Sequence, residues 1–150
     1  MVPWAPLLLL AAALLPMDEG GFQKTVAAHK GKVALYNFWA TWCLPCRKEM
    51  PDLLKLQAKL KGRGFDLVLI SADEPETEAA ADKVLKQNGA AGSLYRKAAK
   101  NDEAFINAID PKWSGALPAS FLYDRKGQKV RSFIGEADMK ALEAAILKLL

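Results

Sequence analysis

Apolar residues fall along the chain in two kinds of run. Val33 to Trp39 (VALYNFW) and Phe65 to Ile70 (FDLVLI) are short, nearly continuous and rich in β-branched or aromatic residues. That is the pattern of strands buried on both faces. Elsewhere the apolar positions recur at helical spacing. Phe22 and Val26, at i and i+4, predict a helix within Asp18 to His29. Leu53, Leu56 and Leu60, at i, i+3 and i+7, predict a helix that opens at Cys43 and stops at Lys61-Gly62-Arg63-Gly64. Pro45 is tolerable in its first turn, where no intrahelical donor is lost, and Pro51 is expected to kink it. Glu76 to Gln87 reads as a helix capped by Asn88-Gly89, and Met139, Leu142, Ile146 and Leu149 mark a terminal one. Ala119 to Tyr123 and Gln128 to Ile134 flank a turn at Asp124-Arg125-Lys126-Gly127, a hairpin signal. Ala90 to Gly115 is the least regular stretch, with a short strand near Ser93-Leu94-Tyr95 and a helix from about Asp102 to Ile109. The order α-β-α-β-α-irregular-β-β-α predicts an α/β fold: a central mixed sheet with helices on both faces.

The first sixteen residues stand apart. Val2 to Leu15 is almost wholly apolar, but it is shorter than the ~20 residues of a spanning helix. Its length suits the core of an export signal, yet no Lys or Arg precedes it and Pro3, Pro6 and Pro16 interrupt it. Three readings stay open: an export signal or its remnant, a strand or helix packed onto the domain of residues 17–150, and an added stretch foreign to it. The segment is also a candidate membrane anchor. The remainder has an ordinary globular composition, and a net charge of +4 with both signs scattered describes a solvated surface. No nucleic-acid partner is expected. With 150 residues, two cysteines and one histidine, the chain is one domain, not a disulfide-stapled one, and a closed zinc site would have to draw on carboxylates.

Those two cysteines carry the chemistry. Trp42-Cys43-Leu44-Pro45-Cys46 follows a buried strand and opens a helix. Unpaired backbone N–H groups and the helix dipole there favour an anion, so a Cys43 thiolate is stabilised, from a pKa of ~8.5 into the range ~3.5–7.5. The i, i+3 spacing brings Cys46 close enough to close an exchangeable disulfide. A Cys43 thiolate would attack a substrate disulfide and Cys46 would then release the product.

The block from Asn37 to Pro51 (NFWATWCLPCRKEMP) resembles the active-site region of thioredoxin-like proteins, most closely the exported bacterial TlpA, ResA and DsbE-like thiol-disulfide oxidoreductases. The likeness runs from about Asp18 to the C-terminus. It implies a thioredoxin-like fold and a protein-disulfide oxidoreductase acting as a reductant in the periplasm or another exported compartment, for instance in cytochrome c maturation. A cytoplasmic thioredoxin-type reductant is the alternative. It implies that Pro118, in Gly115-Ala116-Leu117-Pro118, is a cis-proline facing the disulfide, and that the Leu117 backbone pairs with an extended substrate. By itself Pro118 would read as an ordinary loop proline. Thioredoxin has a buried aspartate where Asn37 stands; the exported branch often has asparagine, with a glutamate three residues after the second cysteine. Glu49 holds that place as a proton relay for Cys46, or else as a solvated helix residue.

Trp42, Leu44, Pro45 and Leu117 are the candidate substrate contacts, and Trp39 is expected in the core. Arg47 and Lys48 are expected to be solvated, the alternative being that they help to hold a thiolate or an acidic partner. His29 is expected at the surface at a helix end, and Asp73 and Glu74 as loop or cap residues. The implied partners are protein thiols and disulfides and an upstream electron donor, with a monomer as the working unit. No organic or metal cofactor is implied, because the dithiol carries both electrons. Two other functions compete. A thioredoxin-like copper carrier would be expected to use a wider cysteine pair and a downstream histidine, and none follows here. A structural disulfide in an inactive domain is the other.

Overall fold

The computed structural model describes residues 2–4 and 14–150. The elements run β1 (Leu15–Met17), α1 (Gly21–Ala28), β2 (Val33–Trp39), α2 (Leu44–Leu60), β3 (Phe65–Ser71), α3 (Glu78–Gln87), β4 (Ser93–Lys97), α4 (Asp102–Ile109), β5 (Ala119–Tyr123), β6 (Lys129–Ile134) and α5 (Met139–Leu149). They build one six-stranded sheet in the order β1-β4-β3-β2-β5-β6. The first four strands are parallel, and β5 and β6 are antiparallel. This is the expected mixed sheet, and the hairpin and the irregular region's strand and helix fall where the sequence puts them.

All seven residues of β2 are buried, as a central strand between two helical layers requires. Side chains alternate across a strand, so Val33, Leu35 and Trp39 face one layer and Ala34, Tyr36 and Phe38 the other. The first layer is α2, α3 and α5, contributing Leu53, Leu60, Leu85, Leu142 and Ile146. The second is α1 and α4, with Phe22, Phe105 and Ile109 around Phe38, and Trp113 5.0 Å from the Phe38 ring. The stretch of weakest pattern, Ala90 to Gly115, thus supplies Phe105, Ile109 and Trp113 to one core.

Several expectations need correction. The first helix starts at Gly21, because Asp18 ends in a turn whose carbonyl accepts the Gly21 N–H. Leu15–Met17 is a strand, paired in parallel with β4, and Met17 is buried in the second core. The readings of residues 5–13 as signal, anchor or packed segment lie outside the described residues. The third helix begins with a 3-10 turn, Pro75–Thr77. α2 is one helix from Leu44 to Leu60, with Pro51 inside it. It ends in a 3-10 turn at Lys61–Arg63, closed by Gly64 at φ 94°, a conformation glycine adopts without a Cβ penalty.

Candidate active site

The parallel strands β2 and β3 deliver their C-terminal ends to one edge of the sheet, and the loop after β2 carries Cys43 there. Cys43 is the N-cap of α2, in an extended conformation, and its sulfur accepts the N–H of Cys46 at 3.3 Å. The first turn of the helix therefore points a backbone donor at the leading sulfur, where negative charge would develop. Cys43 and Cys46 form a disulfide, with S–S 2.11 Å and Cα–Cα 5.3 Å. Cys43 is 5% exposed and Cys46 1%. The first is reached from solvent more readily, which fits Cys43 as attacking and Cys46 as resolving sulfur.

The surroundings divide into a rim and a buried support. Trp42 (70% exposed), Leu44 and Pro45 form the rim. Pro118 is buried and its peptide bond to Leu117 is cis. It precedes β5, whose Ala119 pairs with Phe38, so it sits beside the end of β2 that leads to Cys43. Leu117 is half-buried against the core cluster that includes both cysteines. Its backbone N–H and C=O have no partner among the described residues. The structure thus brings the predicted contacts to one end of the sheet.

Glu49 lies on the inner side of α2 and is buried, not solvated. Because Asn37 is an odd-numbered β2 residue, it faces α2, and its Nδ2 donates to Glu49 Oε1 at 3.2 Å and to Ser120 Oγ at 2.9 Å. The Ala137 N–H donates to Glu49 Oε2 at 3.0 Å. Burial raises the Glu49 pKa, and the hydrogen bonds from Ala137 and Asn37 offset it only in part. Glu49 is one helical turn from Cys46 on the same buried face.

Asp73 is the residue the sequence understates. It does lie in the loop after β3, as expected, but it is a buried carboxylate that gathers the loop before Cys43. It accepts the Thr41 N–H at 3.0 Å, the Thr41 hydroxyl at 2.5 Å, the Ser71 hydroxyl at 2.7 Å and the Thr77 hydroxyl at 2.8 Å. All these donors are neutral, and together they replace the hydration a buried carboxylate loses. The local foreshadowing is Ser71 and Thr77, close on either side of it, while Thr41 comes from a distant part of the chain. Glu74 pairs with Lys97.

Trp39 is fully buried, as expected. Arg47 and Lys48 are exposed on the first turns of α2. His29 departs from its surface reading. It does end α1, but Nδ1 lies 2.8 Å from the Thr25 carbonyl and Nε2 2.8 Å from Asp66 Oδ2. The Asp66 hydrogen bond raises the histidine pKa despite burial. Among the described residues no three His, Cys, Asp or Glu side chains converge as a metal site, and no helix is long and apolar enough to cross a membrane.

Comparison with known proteins gives a consistent result. The Redoxin family model matches residues 10–146. The chain is 37% identical over 127 residues to the thiol-disulfide oxidoreductase ResA of Bacillus cereus, covering 80% of this chain and 65% of that protein. It therefore spans just under two thirds of the length of that relative. Among solved structures, a thiol:disulfide interchange protein of the thioredoxin family from Chlorobium tepidum superposes with TM-score 0.66 at 28% identity, covering 82% of this chain and 83% of that one. A DsbF homologue from Corynebacterium diphtheriae, at 24% identity and TM-score 0.67 over 83% of this chain and 76% of its own, shares the fold.

Proposed function

Because the chain belongs to the Redoxin family, we propose that it is a thiol-disulfide oxidoreductase that reduces disulfides of protein substrates through Cys43 and Cys46. The observation that carries this reading is the Cys46 N–H aimed at the Cys43 sulfur at a helix N-terminus, beside a rim of exposed apolar side chains.

In the reduced protein a Cys43 thiolate attacks one sulfur of the substrate disulfide. A Cys43–substrate disulfide forms and the other substrate sulfur leaves as a thiolate, which takes up a proton. Cys46 then gives its proton to the Glu49 carboxylate, and its thiolate attacks the Cys43 sulfur. The second substrate thiolate is released and the protein is left with the Cys43–Cys46 disulfide. Two electrons have passed from the protein dithiol to the substrate, and an upstream dithiol donor returns them. Leu117 offers its unpaired backbone groups to an extended substrate segment, and Pro118, lacking an N–H, leaves that edge open. Trp42, Leu44 and Pro45 cover the apolar part of the segment. No organic or metal group takes part in this scheme. The protein works as a monomer in an exported compartment, with the apolar N-terminal residues directing or anchoring it there. Maturation of c-type cytochromes is one process that consumes such reducing equivalents.

The test is Cys46→Ser. This variant is expected to accumulate mixed disulfides through Cys43, visible as thiol-sensitive adducts on non-reducing gels, whose protein components are the substrates. Adducts formed by Cys43→Ser and absent from Cys46→Ser would reverse the assigned roles, and adducts with neither variant would remove the reading.

A further inference from the structure

Bordering the rim of the site lies a pocket of about 300 Å³ whose remaining walls the exchange steps do not use. It shares Trp42 and Leu117 with the site, so a segment paired on Leu117 would touch one of its walls. Much of its wall is apolar, with Phe38, Phe105, Ile106 and Trp113 lining it beside those two residues. The volume is at the low end for ligand sites, the scale of one large side chain and not of an organic cofactor.

Three charged residues line the same pocket: Glu74, Lys97 and Asp102. The Lys97 ammonium bridges the two carboxylates, at 2.7 Å from Glu74 and 3.0 Å from Asp102. Its side chain is only 11% exposed, whereas those of Glu74 and Asp102 are 61% and 60% exposed. Burial would lower the lysine pKa, but the two hydrogen-bonded carboxylates outweigh it and the ammonium is held above its usual range. Lys97 is thus a charged, occupied cation. The trio keeps one net negative charge, and its two carboxylates are exposed to an incoming group.

We propose that this pocket takes a lysine or arginine side chain flanking the substrate cysteine, so that the protein exchanges preferentially with disulfides in basic segments. The inference rests on the thiol-disulfide reading above and names its substrate class. A long basic side chain matches the pocket at both ends. Its methylene stem lies along Trp42, Trp113 and Ile106, and its cationic head meets Glu74 and Asp102. An apolar side chain would desolvate the carboxylates without returning a hydrogen bond, and an acidic one would meet like charge.

The test uses peptide disulfides, homodimers of Gly-Ala-X-Cys-Ala-Gly with X as lysine, norleucine or glutamate. The reduced protein is mixed with each at low salt, quenched in acid, alkylated and weighed, so that conversion of the protein dithiol to disulfide gives the rate. The lysine peptide is expected to react about fivefold faster than the norleucine peptide, the scale of one partly solvated ion pair, with the glutamate peptide slowest. In Glu74→Gln/Asp102→Asn the lysine-to-norleucine ratio should fall to about one or below. Equal rates for the three peptides, a norleucine peptide that is fastest, or a ratio unchanged in the double variant would each overturn the pocket assignment. Hydroxyethyl disulfide, which has no flanking side chain, separates the two layers. If the wild-type protein fails to reduce it as well as all three peptides, the oxidoreductase reading itself falls.

Discussion

At the scale of single residues, Glu49 shows how burial converts an ordinary carboxylate into a usable base. Its pKa is raised above the ordinary 4.5, chiefly by burial. A proton is therefore held more tightly in the folded than in the unfolded chain. Its contribution to stability is complete below the unfolded value near 4.5 and is lost as pH climbs through the raised folded value. Glu49→Gln should abolish that loss, so the variant gains stability relative to wild type as pH rises from about 4 to 7, measured by urea titration across that range. The same substitution should slow the Cys46 step and shift its pH profile; a profile identical to wild type would exclude a relay role. The cysteine pair was legible from spacing alone, and so was the place of Glu49 one turn on. What spacing could not convey is that Asn37, itself held by Ser120, and the Ala137 amide donate to that carboxylate, since these come from three distant parts of the chain.

At the scale of elements, the loop between β2 and α2 matters more than either element alone. Its register depends on Asp73, which follows β3, so the strand beside β2 fixes the approach to Cys43. Thr41→Val removes one of the hydroxyl donors to Asp73 and leaves the backbone donor in place. It is expected to cost about 1 kcal/mol of stability and to raise the pH at which Cys43 is alkylated, because the sulfur is held less firmly at the helix end. Iodoacetamide rates against pH would read this, and an unchanged alkylation profile would confine Asp73 to a structural role. β2, α5 and β5 could be delimited from sequence because burial on both faces or a steady 3.6 period leaves a strong imprint. β1 could not: three residues including a proline have no period, and only the edge of β4 makes them a strand. The burial of Asp73 was obscured for a related reason, since a polar loop residue after a strand reads as solvated until its partners are known.

At the scale of the molecule, the sheet separates two cores, and the site draws on both. The disulfide belongs to the cluster beneath α2, and the pocket opens into the aromatic cluster beneath α4. Met17 ties the second cluster to the edge of the sheet, buried among side chains from the rest of the domain. Met17→Ala should cost about 3 kcal/mol, as for other fully buried large-to-small changes, read by chemical denaturation. A loss below 0.5 kcal/mol, far under that range, would mean that β1 is dispensable to the fold. The aromatic density of the second core, with Trp113 and Phe105 from the weakly patterned stretch, explains why that stretch looked irregular. Its apolar residues serve a pocket wall and a core at once, and no single helical or strand period satisfies both.

The far end of the sheet has a different character. Arg125, in the β5–β6 turn, donates to the carbonyls of Gly31 and Arg63, and its own carbonyl accepts the Gly31 N–H. Three chain reversals are thereby riveted to one another, and a Cβ on Gly64 would come within 2.8 Å of the Arg125 guanidinium. A fluorophore or surface tether placed on the neighbouring Lys126 would sit on this immobile pole, remote from the sulfurs. It would report tumbling and docking of the whole body without obstructing the mouth where partners arrive.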